Sequence, residues 1–447
     1  MRRSKRALPL ILLTCLGLRL AFFIAVRPWD PEIADRVVLF KDGRDYNRVA
    51  INFVFYRQFA VERDGPLDAY RTPLFPLLAG GLYAMVGIRP WVVLLAEAFL
   101  DTATCLVLYV ALRRHLNDRV ASISASFYAL DPVLILYCCH FLTDIVFVFA
   151  SVLAASLLAS ALAGESRRFP YAVASGAVFG LAALARPIAL YMPVVIAVPT
   201  AILLRRRPAA AVKLLGAFSA AFFVALLPWM IRNYRAFGSF SISTSGPFNI
   251  LALNVAPAEA ARTGEDLPEA RRRLFKEADQ LMQAEGIDPD HAGPFTQARY
   301  WQKVGIGYIM REPVIFVKAY AGGIAYMFTN LASGIYTNML EHHPGLPKSR
   351  RSPTQVALIL IIGPYLLVTY ACTLAGLFLA WRDRRSALLL VFVAIAVYFV
   401  LATGAGGMAR FKIPAIPFYL AFAGIGGWRA LEWAAVRAAG TRAGQRH

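Results

Sequence analysis

Apolar residues in this chain come in runs of about twenty ended by charge, the length a helix rising 1.5 Å per residue needs to cross about 30 Å of hydrocarbon. About ten such runs follow one another, near positions 7–26, 90–112, 119–139, 143–163, 171–185, 188–204, 210–229, 354–381, 386–403 and 411–428. The pattern predicts an all-α polytopic membrane protein. The first run follows Arg2, Arg3, Lys5 and Arg6, is long, lacks a clear small-x-small cleavage site and precedes further spans. It therefore reads as a retained first helix entering from the cytoplasm and not as a signal peptide.

Two long segments separate the runs, at about 27–88 and 232–353. The first carries a weakly amphipathic stretch near 46–61 and a Pro-bounded apolar stretch near 73–87, too short to span; both are expected to lie in the membrane surface. The second predicts charged helices near 268–285 and 295–311, the mark of a small folded module. Its apolar stretch at about 314–331 is interrupted or flanked by Glu312, Lys318 and Asn330 and is expected at the interface or in a shallow re-entrant position. Three parts follow: a membrane domain over 1–232 with its outer loop at 27–88, an outer module over 233–352, and C-terminal spans with a cytoplasmic tail over 353–447.

Composition supports the same class. Of 447 residues 58% are apolar and 17% charged, too apolar for an ordinary soluble domain and far from disorder. Lysine and arginine outnumber the acids 47 to 27, a net charge of +20 that would suggest nucleic acid in a soluble protein. Here the basic residues fall at alternate span ends: Arg113 and Arg114, Arg167 and Arg168, Arg205 to Arg207, Arg382 with Arg384 and Arg385, then Arg437, Arg442 and Arg446. Ten crossings put every cluster on the side of the N-terminus, as the positive-inside bias demands, so nucleic acid is not an expected partner and both termini are expected in the cytoplasm. Cys15, Cys105, Cys138, Cys139 and Cys372 sit in apolar runs, a poor layout for a disulfide framework.

Nucleotide signatures are missing: the chain has neither GxxxxGK[ST] nor a GxGxxG between a strand and a helix. Asp288-Pro289-Asp290 has the look of a metal-binding triplet but reads as a solvated turn, and Glu341, His342 and His343 are weak metal candidates; no cofactor or metal is indicated. The first outer segment says more. It reads Asp42-Gly-Arg-Asp45-Tyr46-Asn-Arg-Val-Ala50 and, further on, Ala69-Tyr70-Arg71-Thr72-Pro73-Leu74-Phe75-Pro76. Carboxylates just outside the first span, with an arginine ahead of a surface helix, can supply a base and a phosphate ligand at the bilayer edge. The alternative is that these charges are solvated loop residues.

These elements resemble the GT-C membrane glycosyltransferases, above all the family-39 branch of polyprenyl-phosphate-sugar enzymes that includes protein mannosyltransferases and lipid A aminoarabinose transferases. The resemblance rests on the acid, aromatic and small residue at Asp42, Tyr46 and Ala50, and on Arg71-Thr72-Pro73-Leu74-Phe75-Pro76. It continues through Thr143-Asp144, Leu184-Ala185-Arg186-Pro187, Pro228 to Tyr234 with Phe237-Gly238, and Arg410-Phe411-Lys412-Ile413-Pro414 with Pro417. Six elements in order cover most of residues 1–430. Two features depart from the family: an aspartate at 144 where many members carry glutamate, and a second acid at Asp45, so the choice of base between Asp42 and Asp45 stays open.

The resemblance implies an inverting hexosyl- or pentosyltransferase of the bacterial inner membrane with a periplasmic active site. It would take a polyprenyl-phosphate-linked sugar as donor and a lipid, glycan or protein as acceptor. Asp42, or its neighbour Asp45, would be the base, and Tyr46 and Asp144 would line the substrate site. Arg71 is the first choice for the phosphate, with Arg232, Arg410 and Lys412 as further candidates; capping or snorkelling at a helix end is the other role open to each. Arg186 is expected to hold helices together through an acidic partner, which Glu97 or Asp101 can supply unless they line the acceptor cavity. Arg19 is either another such contact or a snorkelling residue. A surface-polysaccharide ligase or polymerase would call for arginines and a histidine in the large outer loop, where His291 alone offers little. A lipid-sugar transporter would call for inverted repeats and charges at mid-membrane, whereas most charges here cluster at span ends.

Overall fold

In a computed structural model the described residues, 4–164, 168–342, 352–382, 386–403 and 407–444, form helices joined by turns, with no strand among them. Arg2, Arg3, Arg167, His343, Arg384, Arg385 and Arg446 lie outside these residues. Among the described residues six helices are long and apolar enough to cross a membrane: Ala7–Val26, Pro90–His115, Asp144–Leu162, Arg168–Ala185, Pro208–Phe237 and Pro353–Trp381. A seventh crossing results if Pro313–Thr329 and Ser333–Leu340, bent by 49°, act as one span. The all-α polytopic class holds, with six or seven such helices in place of the ten that apolar runs suggest.

Local chemistry explains the difference. The run at 119–139 is cut where Asp131 ends the helix Asp118–Leu130 and caps Pro132–Tyr137, its carboxylate accepting from the backbone of Val133 at 2.9 Å and Leu134 at 3.0 Å. Pro187 ends the helix before it, so the run at 188–204 opens as a 3-10 turn and leaves only Met192–Leu203 as α-helix. The run at 411–428 begins as the 3-10 segment Ala409–Ala415 and continues into Ile416–Gly444, which takes in Arg429 and Glu432. Ala387–Thr403 is a helix of 17 residues.

The helix Asp144–Leu162 stands at the centre of the bundle, 78% buried, while Pro208–Phe237 and Pro353–Trp381 are only 22% buried and turn Val212, Val224, Leu360 and Phe378 outward. An outward belt of large apolar side chains is what lipid contact requires. Pro353–Arg382 meets Ile416–Gly444 through Gly376 and Gly426; a Cβ on either would run into backbone of the facing helix. Arg19 is fully buried: its Nε pairs with Asp101 at 2.6 Å, and its Nη1 donates to the Ala129 carbonyl at 2.5 Å, where the helix ending at Leu130 has no further N–H to offer. It is an internal bolt and not a snorkelling residue.

Outside the bundle, Asp42–Tyr56 packs on Leu74–Val86, with Tyr83 Oη donating to Asn47 Oδ1 at 2.5 Å. The charged helices of the second outer segment are Leu267–Ala284 and Pro294–Arg311, which bury Leu274, Ala278, Met282, Tyr300 and Val304 in a small core shared with Leu251 and Val255.

Candidate active site

Asp42 opens its helix behind Lys41, whose φ of 51° turns the chain sharply. Both Asp42 and Asp45 fall in the first turn, where unpaired backbone N–H groups favour negative charge. Between them Gly43 is buried, and a Cβ there would stand 3.1 Å from the Val38 carbonyl oxygen and 3.2 Å from that of Phe141. The missing side chain lets the helix start settle on the backbone just ahead of Asp144.

Asp144 begins the central helix and is 1% exposed. Arg186 Nη1 holds one of its oxygens, and Arg410 Nε donates to the other at 3.0 Å. Arg410 Nη1 also reaches Asp42 Oδ2 at 3.3 Å, so one guanidinium joins the buried acid to the outer one. The Asp42 side chain remains 60% exposed and keeps an oxygen free for another partner. His140 stacks on Tyr137 at 4.7 Å and its Nδ1 lies 3.1 Å from the Leu136 carbonyl oxygen. Burial lowers its pKa to about 4, leaving the imidazole neutral at pH 7.

A second cluster forms around Arg71. Its Nη2 donates to Asp45 Oδ2 at 2.6 Å and its Nη1 to Asp68 Oδ2 at 2.7 Å, and the guanidinium lies 5.5 Å from the ring centres of both Tyr46 and Tyr70. Asp68 is built into the turn: Oδ1 accepts from the backbone N–H of Tyr70 at 2.6 Å and of Arg71 at 3.0 Å. Thr72 ties this segment to the Ala185 carbonyl at 3.1 Å, and Thr244 N–H donates to the Ala69 carbonyl at 2.9 Å. Tyr46 packs edge-on against Phe75 at 5.6 Å; burial raises the pKa of its phenol, which Arg71 and Arg410 partly offset, so it stays protonated.

The structure thus brings Asp42, Asp45, Tyr46, Arg71, Asp144 and Arg410 to one face and adds Asp68, His140 and Arg186 to them. The partner of Arg186 is Asp144, which corrects the expectation of Glu97 or Asp101: Asp101 is taken by Arg19, and neither oxygen of buried Glu97 has a hydrogen-bond partner among the described residues. Arg232 lies under the Arg71 turn as a brace, donating to the Asp68 carbonyl at 3.0 Å and stacking 4.7 Å from the Trp229 ring. Lys412 is fully buried and faces Tyr370 Oη at 3.1 Å. Asp288 closes an exposed turn through Asp290 N–H at 3.1 Å, and His342 meets the Val26 carbonyl at 3.2 Å. Among the described residues no group of three acidic, histidine or cysteine side chains is arranged to hold a metal ion; Asp42 and Asp144 converge on a guanidinium.

The family of dolichyl-phosphate-mannose-protein mannosyltransferases matches residues 70–231, the stretch holding Arg71, Asp144 and Arg186. The oligosaccharyltransferase AglB of Archaeoglobus fulgidus, in complex with an inhibitory peptide and a dolichol-phosphate, superposes at a TM-score of 0.55 and 15% identity, over 96% of this chain and 52% of that one. The chain has the fold of this archaeal membrane enzyme. The same archaeal enzyme in complex with Zn and sulfate gives 0.56 and 14% over 97% and 50%, so the present chain spans about half the length of that enzyme. ArnT of Cupriavidus metallidurans bound to undecaprenyl phosphate aligns at 15% identity over 92% of this chain and 77% of that one, with a TM-score of 0.37. No curated protein matches the chain by sequence.

Sequence reading missed Asp68 and His140. The signal for Asp68 was its spacing: an aspartate ahead of two backbone N–H groups in a tight turn makes an Asx turn, here aimed at the arginine that follows.

Proposed function

We propose that this protein is an inverting glycosyltransferase that moves a sugar from a polyprenyl-phosphate-linked donor to a lipid, glycan or protein acceptor at the outer face of the bacterial inner membrane. The observation that carries the reading is the pairing of an exposed carboxylate, Asp42, with Arg410, which also holds Asp144 at the start of a membrane-length helix, beside the pair of Asp45 with Arg71. A lipid-borne sugar presents its anomeric carbon at that level. The acceptor hydroxyl oxygen bonds to the anomeric carbon as Asp42 takes its proton, and the bond from that carbon to the phosphate oxygen breaks with its electron pair going to phosphate. Fixed guanidinium groups stabilise the departing charge.

The three parts read from the sequence enter the proposal as a membrane domain with the catalytic loop, an outer module and C-terminal spans. Phe248, at the start of the module, meets the Tyr70 ring edge-on at 5.4 Å, a contact with the Arg71 cluster that supports a part for the module in selecting substrate. Comparing surface lipids, polysaccharides and protein glycans from cells with and without the gene tests the reading. One missing sugar names donor and acceptor; an unchanged set in cells known to make the protein contradicts it.

Both termini are proposed to be cytoplasmic. Cysteine labelling should then find positions near Asp42 and Asp279 open only to an outside reagent, and labelling of either from the cytoplasm would overturn the topology and the site with it. For the phosphate, Arg71→Ala should weaken binding of polyprenyl phosphate by about tenfold or more, with Arg71→Lys between it and wild type, since lysine offers a point charge in place of a planar fork. Wild-type affinity in both variants would move the phosphate to Arg410.

A further inference from the structure

The contacts of the Arg71 guanidinium are unequal. The guanidinium carbon lies over the rings of Tyr46 and Tyr70, each centred 5.5 Å away. The Nη1 side is bound by Asp68, which is 5% exposed and itself pinned by the backbone N–H groups of Tyr70 and Arg71. The remaining edge carries two parallel donors, Nε–H and Nη2–H. Nη2 is 2.6 Å from Asp45 Oδ2, while Nε is buried with no hydrogen-bond partner among the described residues. An arginine edge of this kind accepts two oxygens of one anion side by side, and here it receives only one. A buried N–H left without an acceptor is costly, so the edge is incomplete as it stands.

Resting on the donor proposed above, we infer that Asp45 is a displaceable stand-in for the donor phosphate on the Nε and Nη2 edge of Arg71. The two acids bound to this arginine differ in the way the exchange requires. Asp68 belongs to the same turn and is buried. Asp45 lies outside that turn, at the start of the helix Asp42–Tyr56, holds Arg71 through a single contact and is 37% exposed. On leaving it stays in the first turn of its helix, open to water, where the helix N-terminus stabilises its charge. Phosphate arriving in its place takes both donors, satisfies Nε, and leaves the Asp68 contact and the two ring contacts undisturbed. Asp68 is then the residue that positions Arg71, and Asp45 sets how tightly a phosphate-bearing lipid is held before and after transfer.

The test is binding of undecaprenyl phosphate to the purified full chain in lipid nanodiscs, for wild type, Asp45→Asn, Arg71→Lys and the Asp45→Asn, Arg71→Lys double variant, with melting curves to confirm folding. Removing the competing charge in Asp45→Asn should tighten binding by about tenfold, and the gain should vanish in the Arg71→Lys background, which has no two-donor edge. A loss of structure cannot produce that gain. Equal or weaker binding by folded Asp45→Asn, or the same gain with lysine at 71, would overturn the inference while leaving the donor reading in place. If wild type binds no undecaprenyl phosphate, the donor reading itself falls, and the stand-in role falls with it. Asp68→Asn, retaining the side-chain oxygen for the turn but losing the charge beside Nη1, should weaken binding, and tighter binding there would exchange the roles of the two acids.

Discussion

Asp42→Asn should lower turnover by about 100- to 10,000-fold, the range for loss of a general base, in a protein that still folds. The substitution keeps the shape of the side chain and removes only its capacity to take a proton. Its one ion pair, with Arg410 at 3.3 Å and on a carboxylate 60% exposed, contributes little to stability. Binding of the donor should largely survive, because that interaction belongs to the arginines. Asp45→Asn should cost turnover much less. Transfer of labelled sugar by purified, folded variants checks this, beside a separate measurement of donor binding. Full activity in Asp42→Asn with collapse in Asp45→Asn would transfer the role of base to Asp45. Activity in the double variant would remove this loop from the chemistry.

The second large effect concerns stability. Asp144 is the one carboxylate between Arg186 and Arg410, 1% exposed against 15% for each arginine. In Asp144→Ala two guanidinium groups face each other with only the exposed Asp42, on Arg410, left to offset their charge, and removing one partner from a buried ion pair destabilises by about 3–5 kcal/mol. The apparent melting temperature in detergent should fall clearly, and transfer should fall with it, since Arg410 loses the contact that aims it at Asp42. Asp144→Glu retains the charge and should recover most of the stability. A melting curve for Asp144→Ala that overlays wild type would show that the two arginines find other partners.

How far sequence reading reaches here follows from the range of each interaction. Capping and punctuation are local, so the helices Leu74–Val86, Leu267–Ala284 and Pro294–Arg311 lie within a few residues of where apolar pattern and Pro put them. Asp131-Pro132 was equally local, a cap followed by a first-turn proline, but a hydropathy run averages over it and reads one span where the chain makes two helices. Spacing in the sequence says which face a charge lies on, never what stands opposite. Glu97 and Asp101 share a face one helical turn apart, yet Arg19 claims only Asp101. The Asp144 partners come from Arg186 and from Arg410, on the far side of the outer module in sequence, and only the folded bundle brings them together. The same holds for Arg232, which reads as a free cation beside a span end and proves to be stacked on Trp229 beneath the Asp68 carbonyl.

The central claim is that the bond between sugar and phosphate is broken in this protein and the sugar is handed to an acceptor. The most direct test gives the purified full chain, in liposomes, a polyprenyl-phosphate sugar labelled in both the sugar and the lipid phosphate, together with the acceptor identified from cells carrying the gene. The account predicts one free polyprenyl phosphate for every sugar that appears on acceptor, inversion at the anomeric carbon, and loss of both signals in Asp42→Asn. Movement of the intact lipid-linked sugar from one leaflet to the other, with both labels still on one molecule, would contradict it.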